Sequence, residues 1–434
     1  MTPSELSVVF FLQLLLILAT CRGVGWLVKR FLGQPQVVGE MIAGVVLGPS
    51  LLGLLAPGLQ DTLFPAASKP ILYVVAQLGV GLYMFIVGLG FDREHFRSNA
   101  RSAAAVSLSG IAAPFLVAVA ITPLLLATPG LFSASVNRAE ATLFMGACIA
   151  ITAFPMLARI IHERGISGSP LGTLALSAGA IDDAGAWMVL AVVLASFGGG
   201  ASGAVLAIGG GVAFAAVMLT LAPRLLRNLG TWHAREGRIG HGLLAVVLML
   251  FALCAWAMDA IGIHAVFGGF ILGAVLPRGP FVAELKKMLE PLVVVLLLPC
   301  FFTFSGLNTQ LFLVADMQLL GLALLILVGS ILAKGGACYL AARATGQDHR
   351  TAAGIGSLMN ARGLMELIII NIGLQRGIIQ PALFSILVLM AIVTTLMASP
   401  LFEWVYGRHA RKQGELGSLA PDEGEPAAPL TSGS

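Results

Sequence analysis

Charge is the first thing this chain lacks. Lys, Arg, Asp and Glu make up 11% of its 434 residues, where soluble domains carry about 25%. So few charges exclude an ordinary soluble fold, and a net charge of +4 over that length is no footprint for nucleic acid. Cysteine is scarce as well. Cys21, Cys148, Cys254, Cys300 and Cys338 lie in apolar runs without ligand spacing, which excludes a disulfide framework or a zinc cluster and leaves small buried hydrophobes. HExxH, GxSxG and nucleotide loops are missing too, so no enzyme and no resident cofactor is expected. The opening MTPSELSVVF has no basic segment, and no cleavable signal peptide is expected there.

What the chain has is hydrocarbon. Apolar residues make up 58% and mean hydropathy is strongly positive, the composition of a polytopic membrane protein. A spanning helix needs about 20 apolar residues. Thirteen stretches qualify: 6–28, 36–55, 70–91, 101–127, 140–161, 170–197, 202–226, 239–259, 262–277, 284–305, 316–343, 350–374 and 380–406. Residues 1–411 thus read as one all-α transmembrane domain, and the polar, Pro- and Gly-rich residues 412–434 as a disordered cytoplasmic tail.

Lys and Arg test the count through the positive-inside rule. With the N-terminus outside, nineteen of the 25 fall in cytoplasmic loops or the tail, while only Lys69, Arg138 and Arg376 fall outside. One missed span would scramble that asymmetry. The prediction is therefore N-out, C-in, in a cell (inner) membrane. Arg22 lies near a helix end, and Lys334 and Arg362 lie within spans.

The second span reads VVGEMIAGVVLGPS and the ninth VFGGFILGAVLPRG; an offset of 229 aligns Gly39 with Gly268, Gly44 with Gly273 and Leu47 with Leu276. The spans that follow each carry a Gly-Leu step, at 86–90 and 304–308. Similar units an odd number of helices apart enter the membrane in opposite senses. The expected architecture is two inverted six-helix repeats, about 6–197 and 239–406, joined by a linker helix at about 202–226. Secondary transporters built this way bind ions at the midplane between broken helices. Two breaks are expected. Pro155 stands mid-span in CIAITAFPMLARII, behind Thr152, and a proline there removes a backbone bond. The twelfth span, GSLMNARGLMELIII, holds Asn360, Arg362, Gly363 and Glu366 at membrane depth.

The decisive stretch is AGAIDDAGAWMVLAVVLA, residues 178–195. Asp182 and Asp183 sit in a run made for lipid, where one ionised carboxylate costs roughly 2.5–3.5 kcal/mol on insertion scales. Lys334 is equally deep in LVGSILAKGGACYLAARA, and a buried lysine needs a partner or loses its proton. Either aspartate is a candidate partner. Neighbours on a helix point about 100° apart, so one can face Lys334 while the other faces an aqueous cavity. Two close carboxylates repel, which raises proton affinity. A site that takes a small cation or protons, one excluding the other, is the core of an antiporter.

These residues carry a resemblance. QPQVVGEMIAGVVLGPSLLG (34–53), ITAFPMLARII (151–161), AIDDAGAW (180–187), GIHAVFGGFILG (262–273), Lys334 and LMNARGLMELIIINIGL (358–374) resemble the monovalent cation:proton antiporter-2 family, with the sodium/hydrogen exchanger fold. TAFPMLAR and MNARGLMELI are most similar to its plant and fungal branch, whose members often have Asn-Asp where this chain has Asp-Asp. The resemblance implies that Asp183 binds the transported cation, that Asp182 pairs with Lys334, that a doubled aspartate goes with electrogenic exchange, and that the protein is a homodimer through its first helix. The cation, sodium or potassium, stays open.

Plainer roles stand beside these. Asp182 as a strut to Lys334 is compatible with transport. Arg362 and Glu366, four apart on one helix face, read foremost as a mutual pair. Thr152 either bonds a backbone carbonyl or turns its oxygen to the ion. Glu40 reads as interfacial, His264 as a packed histidine, Asp259 and Asp316 as helix-end residues. A sodium-coupled symporter of a small organic solute is the alternative function on this fold, though it has no need of an aspartate pair facing a lysine.

Overall fold

A computed structural model describes residues 2–34, 36–90, 100–153, 157, 160–161, 166, 169–196, 201–261 and 265–407. Among them β pairing is limited to one bridge, Phe132 with Ile379. The rest is helix and short connection, because apolar side chains in lipid leave the backbone to satisfy itself.

The chain opens with α1 (Pro3–Leu32), started by a Thr2–Glu5 capping box and stopped at Gly33, φ 59°, where the left-handed turn suits glycine. Then come α2 (Gln36–Leu47), α3 (Lys69–Leu89), α4 (Ala100–Ala127), α5 (Arg138–Ala150), α6 (Pro170–Ser196), α7 (Ala201–Thr220) and α8 (Ala222–Glu236). The second half holds α9 (His241–Ala260), α10 (Ala265–Val275), α11 (Pro280–Leu307), α12 (Met317–Ala344), α13 (His349–Leu358), α14 (Leu364–Gln375) and α15 (Pro381–Gly407). Asn137, Asp316 and Asp348 cap α5, α12 and α13 through side-chain oxygens.

Among the described residues eight helices are long and apolar enough to cross a membrane, or nine when the bent pair Gly209–Thr220 and Ala222–Glu236 counts as one span. Breaks lie in the two spans where the sequence predicts them: within the fifth, helix α5 ends at Ala150 and residues 151–153 leave the helix, and the twelfth divides into α13 and α14. The seventh ends at Thr220 and turns by 46° into α8. The tail, Pro155 and His264 lie outside the described residues.

Helices α1, α2, α3, α9, α10 and α11 pack into one group; α4, α5, α6 and α12 to α15 form another. Glycine sets the spacing within the first. A Cβ on Gly39 would stand 2.4 Å from Gly25 Cα, and one on Gly268 would stand 2.2 Å from the Cys254 carbonyl. A Cβ on Gly44 would meet the Phe302 carbonyl at 2.1 Å, and one on Gly273 the Phe85 carbonyl at 2.2 Å. Real Cβ atoms do not approach that closely, so backbones touch there only because side chains are missing.

The two groups meet along a seam. Val37, Val38 and Ile42 of α2 pack on Ala153 and Leu396. Hydrogen bonds cross it from Gln34 Nε2 to the Leu396 carbonyl (3.1 Å), from Asn371 Nδ2 to Ser305 Oγ (3.1 Å) and from Gln310 N–H to Ser385 Oγ (2.8 Å). Glu40 corrects an expectation: it is 3% exposed and its Oε1 accepts from Gln36 Nε2 at 3.1 Å, so it is buried in the first group and not interfacial. Asp259 accepts the Ala265 N–H across the turn after α9, and Asp316 caps α12, the helix-end roles read from sequence.

Candidate functional site

The site forms where two helices stop in mid-protein. After Ala150 the residues Ile151, Thr152 and Ala153 leave helical geometry, and so do Ala361, Arg362 and Gly363 between α13 and α14. The two interruptions bond to each other. Ala153 N–H donates to the Ala361 carbonyl at 3.1 Å, and Thr152 Oγ1 donates to the Met359 carbonyl at 3.2 Å. Backbone freed from one helix is satisfied by the other, as a low-dielectric interior requires.

The C-terminus of α5 presents carbonyls at the negative end of its dipole. Two buried cations take them. Arg362 spreads its guanidinium over two, Nη1 to Cys148 O at 2.7 Å and Nη2 to Ile149 O at 2.9 Å. Lys334 Nζ takes the Ala150 carbonyl, and the Ala147 carbonyl accepts Ile151 N–H. Every carbonyl of that last turn is thereby used.

Lys334 carries the pair predicted from sequence. Its Nζ is 2.7 Å from Asp182 Oδ2, with both side chains fully buried. A third bond reaches the Gly110 carbonyl at 3.4 Å, so the three ammonium protons meet three acceptors. Lys334 sits in a π-helical turn, Leu332–Gly336, within α12, a local distortion often found at functional sites. Gly335 lets the break of the twelfth span come close: a Cβ there would lie 2.3 Å from Asn360 Nδ2.

Thr152, Asp182, Lys334, Asn360, Arg362 and Glu366 are all buried around these breaks. Arg362 and Glu366 form the local pair read from their spacing, 3.3 Å apart, but the arginine's bonds to Cys148 and Ile149 were not legible in that spacing. Asn360 Oδ1, Arg362 Nε and Glu366 Oε2 are buried without a hydrogen-bond partner. Asp183 follows Asp182 on α6; its side chain, like all of Pro155, is outside the described residues.

Sequence reasoning missed three contributors. Ser107 Oγ on α4 donates to Asp182 Oδ1 at 3.3 Å. Gly110, one turn on, admits the lysine; a Cβ there would stand 2.8 Å from Cys338 Sγ and 3.9 Å from Nζ. Thr395 Oγ1 brackets Arg362, 3.2 Å from its N–H and 2.8 Å from its carbonyl. Serine, glycine and threonine are common in membrane helices, so nothing in the sequence singled these out.

Comparison with known proteins gives the family. Residues 14–406 match the transmembrane sodium/hydrogen exchanger family. The chain belongs to that family. It is 38% identical over 402 residues to the Na(+)/H(+) antiporter NhaS4 of Synechocystis sp., covering 91% of this chain and 96% of that protein. It is 35% identical to the Cation/H(+) antiporter 18 of Arabidopsis thaliana over 93% of this chain, and there spans about half of the relative's length, 50%. A solved structure of the sodium proton antiporter MjNhaP1 from Methanocaldococcus jannaschii shares the fold with TM-score 0.65 at 15% identity, covering 92% of this chain and 99% of that one. These relatives of the family member described here are transporters, not enzymes.

Proposed function

We propose that this exchanger is a secondary antiporter that swaps a monovalent cation, Na+ or K+, for protons by alternating access at Asp182 and Asp183. The observation that carries it is the Asp182–Lys334 pair, 2.7 Å apart, fully buried and set beside the crossing of two interrupted helices. Family membership and antiporter relatives support the same reading.

The chemistry follows from competition. Asp183 takes the partly dehydrated cation, with Thr152 as a neighbouring oxygen donor; protonation of the carboxylate removes the charge that held the ion. Asp182 either neutralises Lys334 or gives it up when the site is loaded. Free energy stored in one gradient then moves the other ion, because the occupants exclude each other. Asn360, Arg362, Glu366 and Pro155 support the two breaks. No resident cofactor enters this scheme.

The same proposal includes thirteen spans, N-out and C-in in an inner membrane, inverted repeats, and a homodimer through α1. The repeat is supported by paired glycine contacts: Gly25 with Gly39 is matched by Cys254 with Gly268 at the same offset, and the close approach at Gly44 by that at Gly273. The symporter alternative finds no support among the relatives, which are named antiporters. Purified protein in liposomes tests the reading. An imposed Na+ or K+ gradient should drive protons the opposite way with no organic solute present. Proton movement that depends on an added organic solute would sink it.

A further inference from the structure

Helix α8 is built unlike its neighbours. It bends 46° away from the end of α7 and carries Arg224, Arg227 and Arg235, with Arg238 just beyond. At about 100° per residue, its buried residues Ala222, Leu226, Leu229 and His233 fill one narrow sector. Arg224 and Arg235 lie opposite that sector, and all three helical arginines are exposed. Between the two lies a third strip, Leu221, Leu225 and Trp232. Leu221 is 48% and Leu225 63% exposed, although the buried face already packs on α9, α10 and α11.

Among the described residues none of the three arginines forms an ion pair. Nearby carboxylates are engaged elsewhere. Glu284 accepts from His233 Nε2 at 2.7 Å and from Ile239 N–H at 3.0 Å, and Glu236 accepts from Trp232 Nε1. The first of these pins the end of α8 onto α11, within the glycine-spaced group.

We propose that α8 is a binding surface for anionic phospholipid headgroups. The charge pattern selects the occupant. A soluble acidic partner would account for the arginines but leave leucines in water; a lipid surface takes both, with the Leu221–Leu225–Trp232 strip at acyl depth and the guanidinium groups among phosphates. The bend at the end of a spanning helix sets α8 at the depth where that interface lies. Bound lipid would bridge α7, α8 and, through Glu284, α11. The surface is independent of the ion site; it requires only that α7 crosses the membrane.

The test uses the full chain in nanodiscs of phosphatidylcholine alone or mixed with phosphatidylglycerol, reading the thermal-unfolding midpoint and, by native mass spectrometry, retained lipid. The anionic lipid should raise the midpoint and be retained preferentially, and the rise should shrink at high salt. Retention should fall roughly fivefold for each arginine removed. The R224Q/R227Q/R235Q variant should lose most of the effect, while lysine at the same positions keeps it. Equal midpoints in the two lipids, or a glutamine variant that keeps the full rise, would overturn the proposal. So would a matching rise produced by free inorganic phosphate or by polyglutamate without anionic lipid.

Discussion

Two ion pairs lie buried among the described residues, and they are built differently. Asp182–Lys334 joins α6 to α12 across the protein, and both partners are well served: the ammonium has three acceptors, the carboxylate a lysine and a serine. Arg362–Glu366 is local, one turn apart, and is left with unpartnered Nε and Oε2 atoms. Its arginine, however, is committed to the backbone of another helix. The first pair links two separate helices, and in the proposed exchange it is the one made and broken as the site is loaded. The second fixes one broken end against another. A buried pair is poor evidence for stability in itself, since desolvation offsets attraction; what each partner touches besides the other decides its role.

Substitutions can break or sharpen that contrast. The largest effect belongs to Asp183→Asn, which should reduce vesicle antiport to background while the protein still inserts and unfolds at its usual temperature. Normal exchange by that variant would detach the acid pair from transport. Next come Lys334→Ala and Arg362→Ala, each leaving a buried carboxylate alone at a cost of about 3–5 kcal/mol, read by thermal unfolding in detergent. Here the pairs should diverge. Arg362→Lys should recover only part of the loss, because an ammonium cannot span the Cys148 and Ile149 carbonyls, and it should leave the charge moved per cycle alone. Lys334→Ala should alter that charge, measured as current on a supported membrane; if neither current nor stability changes, the pairing with Asp182 has no role.

Ser107→Ala is a smaller perturbation. It removes one hydrogen bond to a charged group, about 1.5–3 kcal/mol at most, read by thermal unfolding in detergent. Ser107→Thr, which keeps the hydroxyl, should restore most of the loss. An unchanged unfolding midpoint for Ser107→Ala would leave that hydrogen bond without weight in the fold. The smallest effect is expected at Asp348, outside the membrane, where the Thr351 hydroxyl and the N–H groups of the α13 N-terminus hold the carboxyl below its usual range. A group held low stabilises the fold above its ordinary titration range and loses that contribution as pH falls through its folded value. Asp348→Ala should therefore cost about 1 kcal/mol near neutrality and converge with the parent in acid.

The sequence made the expensive features legible. Carboxylates and a lysine within apolar runs are costly, so they stand out, and the shortage of other charges left few partners for Lys334. The break after Ala150 and the gap between α13 and α14 were visible through Pro155 and the polar run at 360–366. Cheap features were hidden. Ser107 and Gly110 resemble many other small residues in the spans, and only their distances to Asp182, Cys338 and Lys334 distinguish them. Glu40 stands near a helix end, a position that predicts exposure, whereas the fold buries it to 3%. Arg362 was half seen: spacing on one helix reveals i, i+4 neighbours, but says nothing of carbonyls on another chain segment.

Where Gly44 meets the Phe302 carbonyl and Gly273 that of Phe85, no rotamer-bearing layer lies between the helices to yield or lubricate. Such joints transmit force like welded struts. Any rocking of one half against the other must then be absorbed where side chains do interleave, at Val38, Ile42 and Leu396. Enlarging a glycine would jam the frame itself, whereas resizing a residue of that apolar line would retune the rocking that the proposed exchange requires.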